Sequence, residues 1–276
     1  MADKFIHLDE KSFINEAKSI IEKAQEKGIV LRILGALGVF LHTEDPSLSG
    51  LFYSLGRLGE GKPLFTDLDV VGYSKQVPLV KKFFEQDLKF KGNVYVNTLF
   101  AYKRNIFEAP DGLYSVDVFY DRLEYSHNVE FGNSPGRGRL EIDFPTITLA
   151  DIVLEKLQIH EINRKDLIDL TVLFAGHDVL RSTEKETVDS GYISKVLAND
   201  WGFYYDAVMN LNKVKDIASQ FEKDGKISEE VLASVDERVD TLLKTIEDEP
   251  KTPNWIKRSK RGTTIPWYRD VEEVDR

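Results

Sequence analysis

The sequence has no cysteine, which removes disulfides, thiolate zinc sites and cysteine nucleophiles in one step. It has no apolar run long enough to span a bilayer, and its start, MADKFIHLDEKSF, carries acids where a signal peptide needs a basic end followed by an apolar stretch. These absences predict a cytoplasmic protein with no membrane partner. Basic charge is also in short supply: 37 Lys and Arg stand against 47 Asp and Glu, for a net charge of −10. Such a surface repels phosphate backbones in general, which disfavours non-specific nucleic-acid binding. No internal repeat or low-complexity tract is visible. The five histidines, His7, His42, His127, His160 and His177, show no i, i+4 pair that would suggest zinc, and ordinary packing or exposure is expected of each.

What is present is a 42% apolar chain of 276 residues, enough for one large domain or two modest ones. Residues 9–26 place Phe13, Ala17, Ile20, Ile21 and Ala24 at helical spacing, ended by Gly28. Residues 29–34 read as a buried strand, followed by the Gly35-Ala36-Leu37-Gly38 turn and a short helix over 39–42. The composition of 43–63 predicts a long loop or insertion. A second strand follows at 65–72 and a helix at 78–89, and residues 94–102, 113–120 and 139–142 read as β segments. From residue 149 the periodicity becomes helical, over 149–161, 165–175, 191–199, 201–221 and 228–247, without strands. The expected architecture is α+β: a mixed sheet with flanking helices over residues 1–147, a helical domain over 148–249 and a basic, Trp-containing tail over 250–276.

The chemistry concentrates at Thr66-Asp67-Leu68-Asp69-Val70-Val71. Alternation along a strand sends Asp67 and Asp69 to one face and Leu68 and Val70 to the other. Two neighbouring carboxylates repel each other, and a divalent cation with hard oxygen preference relieves that; Mg²⁺ is expected, with Mn²⁺ as its substitute. A third acid, Asp117, lies in the apolar run Ser115-Val116-Asp117-Val118-Phe119, where an unpaired carboxylate would be costly. Three acids on two strands make a candidate two-metal site. Solvated or lysine-paired strand-end acids are the bland alternative. An EF-hand fails because Leu68 and Val70 fill its even positions and Pro78 its twelfth. A glycosyltransferase DxD site remains a competitor.

The order of strand, Gly turn with helix, apolar DxD strand and later Asp-bearing strand resembles the DNA polymerase β-like nucleotidyltransferase superfamily. Leu149-Ala150-Asp151-Ile152-Val153-Leu154-Glu155-Lys156-Leu157-Gln158, followed by Lys165-Asp166-Leu167-Ile168-Asp169-Leu170, is similar to the helical segment of its abortive-infection toxin-like branch. The resemblance spans about residues 31–173. It implies that Gly35 and Ala36 approach phosphate, that Asp67 and Asp69 ligate metal, and that Asp117 completes the site or takes the acceptor's proton. Lys156 and Asp166 would contribute to nucleotide binding, in a cleft where Lys156 faces the acids. The implied partners are a nucleoside triphosphate, an acceptor (RNA, protein or small molecule) and, for a toxin-like protein, an antitoxin-type partner. Two features depart from the family pattern: Ala36 stands where a second Gly or Ser is usual, and 32 positions separate Gly35 from Asp67. The first favours an alternative, a non-catalytic nucleotide-binding or regulatory module with a degenerate site.

Three further patterns are weaker. Gly56 to Lys62 has P-loop spacing, but Pro63 replaces the hydroxyl residue that would hold Mg²⁺ and a strand follows. Gly132-Asn133-Ser134-Pro135-Gly136 has the form of a nucleophile elbow but leads into a turn. The tail carries Lys251, Lys257, Arg258, Lys260 and Arg261 among Trp255, Trp267 and Tyr268. It could grip phosphate or RNA, or dock on its own domain through its tryptophans.

Overall fold

A computed structural model describes residues 9–57 and 64–270. The chain is α+β and separates into two compact units whose segments interleave in sequence: Met1–Leu41, Gly61–Leu123 and Glu130–Ile147 form one, and His42–Glu60, Glu124–Val129 and Thr148–Arg276 the other.

The first unit opens with α1 (Glu10–Glu26), whose buried face is Phe13, Ala17, Ile20, Ile21 and Ala24 and whose N-cap Asp9 accepts from the Ser12 amide. Strand β1 (Leu31–Ile33) leads into α2 (Gly35–His42). The chain then passes through α3 (Pro46–Ser54), grouped with the second unit, before β2 (Leu68–Gly72). Helix α4 (Val77–Lys82) runs on as a π-helical stretch over Phe83–Asp87, and β3 (Lys91–Gly92), α5 (Val94–Leu99), β4 (Arg104–Glu108) and β5 (Ser115–Tyr120) follow. The sheet order is β1-β2-β5-β4-β3, mixed because only β2 and β5 run parallel. Leu31, Ile33, Leu68, Val70, Val116, Val118 and Phe107 are fully buried with Ile20 and Ile21 of α1, so the strands' β-branched and aromatic side chains form this unit's core. Strands β6 (Arg122–Glu124) and β7 (Asn128–Glu130) form a separate two-stranded sheet.

Three sequence expectations change here. Residues 94–99 are helical, although Val94, Val96 and Thr98 favour strands: the Asn93 side chain caps the first turn by accepting from the Val96 amide at 3.0 Å. Asn97 then ties that helix to β4, exchanging two hydrogen bonds with the Ile106 backbone. Capping has outweighed propensity. Residues 139–142 form turns and bends instead of a strand: the Arg139 amide reaches the Phe131 carbonyl at 2.8 Å, but the Leu140 amide donates to the Tyr73 hydroxyl at 3.0 Å, which also bonds to Glu141, and the Ile142 amide turns back to the Arg139 carbonyl, so the ladder does not continue. In the expected loop at 43–63, Asp45 caps α3 and proline occupies its first turn; residues 58–63 of that segment, with most of the P-loop-like pattern, lie outside the described residues.

The second unit adds α6 (Leu149–Leu157), α7 (Arg164–Gly176), β8 (Val179–Leu180), β9 (Val188–Asp189), α8 (Ser190–Leu197), α9 (Trp201–Lys223), α10 (Glu229–Asp248) and α11 (Pro253–Ser259). From residue 149 on, the strands among the described residues are β8 and β9, two residues each and paired in parallel, which corrects the expectation of none there. Each is too short to show alternation in sequence. Every residue of α6 is buried. The tail, expected to lack helical order, contains α11, capped by Thr252 and started by Pro253.

Candidate functional site

In the first unit, the parallel pairing of β2 with β5 sets Leu68 opposite Val116, Asp69 opposite Asp117 and Val70 opposite Val118. Register partners share a face, so Asp69 and Asp117 stand side by side while the aliphatic residues between them fill the opposite face. Asp69 is half-buried and Asp117 buried. Asp67 lies in the bend just before β2, also half-buried, with the Thr66 hydroxyl on its carboxylate at 2.5 Å.

Gly35 begins α2 with φ +68°, in the left-handed region that glycine tolerates and L side chains avoid. The Leu34 amide donates to the Asp69 carbonyl at 3.1 Å, and a Cβ built on Gly35 would come 3.0 Å from Asp69 Oδ2. The start of α2, with the half-buried Ala36 next, is therefore pressed against the acid face. First-turn amides of a helix favour anions, so carboxylate and phosphate are both compatible neighbours.

Arg104 of β4 lies opposite Phe119 of β5, which puts it on the same face as Asp117. Its Nε reaches Asp117 Oδ1 at 2.9 Å and Oδ2 at 3.0 Å, and its Nη2 also donates to Oδ2. Burial pushes the Asp117 carboxyl above the ordinary carboxylate range, and the Arg104 guanidinium offsets only part of that. Nothing in the residue order pointed to Arg104, since its contact crosses an antiparallel pair whose first strand was expected elsewhere.

In the second unit, Lys156 of α6 is buried, with its Nζ 2.8 Å from Asp166, 3.0 Å from Asp169 and 3.8 Å from Glu155. Burial works against the ammonium, but the carboxylates of Asp166, Asp169 and Glu155 outweigh it and raise the lysine's pKa. Asn163 caps α7 by accepting from the Asp166 amide, which fixes the start of that helix. Arg57 grips Asp169 at two points, 2.7 and 3.2 Å, so the fully buried Asp169 is shared by two cations. Asp169 was present in the quoted motif without a role. Its i, i+3 spacing from Asp166, one helix turn on, was the signal that both acids face Lys156.

Four of the five histidines gather in this unit around two carboxylates, despite their scatter in sequence. His42 Nδ1 is 2.9 Å from Glu186 Oε2, and His177 Nδ1 donates to the Glu186 carbonyl at 3.1 Å. The buried Asp206 accepts from His127 Nε2 at 2.7 Å, His160 Nδ1 at 3.0 Å and Trp267 Nε1 at 2.9 Å. Tyr268 stacks on His160, and Arg269 donates to the Tyr125 and His127 carbonyls. The tail thus docks within its own unit through Trp267, and Phe203 packs on His127 as a core residue. His7 lies outside the described residues. Ser134, centre of the elbow-like pattern, is buried with its hydroxyl unpartnered and no helix following it.

No helix among the described residues is long and apolar enough to cross a membrane. Compared with protein-family models, with curated proteins and with solved structures, the chain matches none.

Proposed function

We propose that the chain is a metal-dependent nucleotidyltransferase, moving a nucleotidyl group from a nucleoside triphosphate to an acceptor hydroxyl, on a nucleotidyltransferase-like sheet. The observation that carries the reading is the lateral pairing of Asp69 with Asp117 on parallel strands, with Gly35 held against Asp69 and Asp67 two residues before it. Strand, glycine-started helix, DxD strand and adjacent third acid follow in the order that the family resemblance implies.

The donor set suits Mg²⁺ or Mn²⁺: Asp67 and Asp69 offer hard carboxylate oxygens, half-buried and two residues apart. Such an ion would supply charge neutralisation at the triphosphate and a lower pKa for the attacking hydroxyl. Asp67 and Asp69 would hold it, and the N-terminal turn of α2, which Gly35 starts without a Cβ, would offer its amides to phosphate oxygens. Asp117 stands beside the pair to accept the acceptor's proton, a role its elevated pKa favours.

One observation favours the alternative of a nucleotide-binding module without catalysis: both oxygens of Asp117 are already engaged by Arg104. Incubation with each labelled nucleoside triphosphate, with and without Mg²⁺, separates the two. Pyrophosphate release that requires Mg²⁺ supports transfer; binding without release supports the module; absence of both removes the reading.

A further inference from the structure

Helix α5 is inverted relative to what water asks of a short surface helix. Its inner side carries Val96 and Asn97, and the two hydrogen bonds between Asn97 and the Ile106 backbone fix which way the helix faces. Its outer side is apolar: Val94 is 80% exposed, Tyr95 73% and Leu99 60%, and Tyr102, in the turn that follows, is 63% exposed. At helical spacing Val94, Tyr95 and Leu99 fall in one sector, opposite Val96 and Asn97. A lone exposed apolar residue means little, but several side by side on one helix face mark a contact surface.

The surroundings of this face are basic. Lys81 of α4 donates through Nζ to the Asn97 carbonyl at 3.2 Å, which lays α4 beside α5, and Lys82 next to it is exposed. Lys91 of β3 stands three residues before Val94, and Lys103 directly follows Tyr102, both exposed. From residue 75 to residue 103 six lysines stand against two acids, Glu85 and Asp87, and Lys27 holds Asp87 at 3.1 Å. The whole chain carries a net charge of −10, so this stretch reverses the sign of the molecule. An apolar, tyrosine-bearing centre with a polar rim is the anatomy of a protein-binding surface, and a rim of one sign selects a partner of the other.

We propose that the outer face of α5 docks an acidic amphipathic helix of a partner protein. The partner's apolar side covers Val94, Tyr95 and Leu99, and its carboxylates meet Lys81, Lys82, Lys91 and Lys103. A second copy of this chain fits less well, since pairing the face with itself brings lysine against lysine. Single-stranded nucleic acid would use the lysines and the tyrosine rings, but it gains no stacking from Val94 or Leu99 and meets a net negative chain. The docking does not depend on transferase activity.

The test is fluorescence anisotropy with three labelled probes: a synthetic amphipathic helix with leucine and tryptophan on one side and glutamate on the other, the same peptide with lysine for glutamate, and single-stranded oligouridylate. The full chain is compared with Y95S/L99S, with K82E/K91E and, as a control for exposed apolar residues elsewhere, with L180S. The acidic peptide should bind at least about tenfold more tightly than the basic one, and more weakly as salt is added. Y95S/L99S and K82E/K91E should each weaken it by at least about tenfold, while L180S leaves it unchanged. V94S/Y102S, on the same face, carries the comparison if circular dichroism shows that Y95S/L99S does not fold. Equal binding of the two peptides, or acidic-peptide binding that survives both double substitutions, overturns the proposal. Oligouridylate bound more tightly than the acidic peptide, and released by Y95S/L99S, overturns it in favour of nucleic acid. Absence of acidic-peptide binding also overturns it, and a wild-type dimer in sedimentation that Y95S/L99S dissociates would then assign the face to a second copy.

Discussion

Asp69 and Asp117 are register partners on parallel strands, so their carboxylates leave the sheet on one face from adjacent backbones. A protein that sought only stability would separate two acids or put a cation between them. Here Asp117 has Arg104 on both its oxygens, and Asp69 has the start of α2 against it.

Replacing Gly35 with alanine should damage both backbone and site. Its φ of +68° costs an L residue about 1–2 kcal/mol, and the new methyl would meet Asp69 Oδ2 at 3.0 Å. Urea unfolding should show a loss of that order, and Mn²⁺ affinity should fall alongside it. Unchanged stability would mean that the left-handed turn is not kept in solution.

Lys156→Ala should destabilise the protein before it affects any ligand. The change leaves Asp166, Asp169 and Glu155 buried together with Arg57 as the remaining cation among the residues of this cluster, and breaking a buried ion pair costs about 3–5 kcal/mol. Asp166→Asn in the Lys156→Ala background should recover part of the loss, since it removes a carboxylate that has lost its ammonium, whereas Asp169 keeps Arg57. Thermal melts of the single and double variants give the answer, and equal melting temperatures for wild type and Lys156→Ala would contradict it.

The Asp206 cluster predicts an acid limb in stability. Burial alone would raise this carboxyl, but hydrogen bonds from His127, Trp267 and His160 outweigh it and hold the folded-state pKa below its ordinary value. A depressed carboxylate adds stability that is full above the unfolded pKa, about 3.9, and is lost as the pH falls through the folded value. Asp206→Asn should therefore be less stable than wild type at neutral pH, with the gap closing below about pH 4. A constant gap from pH 7 to pH 3 would show that the charge of Asp206 contributes nothing.

Periodicity made much of this architecture legible. The spacing of Phe13, Ala17, Ile20, Ile21 and Ala24 located α1, and alternation around Asp67 and Asp69 located β2, because burial on one face leaves a direct imprint on residue order. Helix α5 was misread because its signal lies in the single cap Asn93, while Val94 and Val96 argue for a strand. The short strands β8 and β9 left no periodic trace. At the candidate site, Asp67, Asp69 and Asp117 could be named from the cost of acids in apolar runs. Arg104 could not, since its partner is set by strand register, which is a property of the folded sheet. The histidines were invisible for the same reason: His127 and His160 meet on Asp206 only through the packing of α9 and the tail.

The most direct test of the central claim is calorimetric titration of a non-hydrolysable nucleoside triphosphate analogue into the wild-type protein and Asp69→Asn, each with Mg²⁺ and with chelator. Asparagine keeps the shape of Asp69 but removes its charge, so the variant should melt at or above the wild-type temperature. The account predicts Mg²⁺-dependent binding in the wild type that is lost in the still-folded variant. Absence of binding in the wild type with Mg²⁺ present, or equal binding in Asp69→Asn, would contradict it.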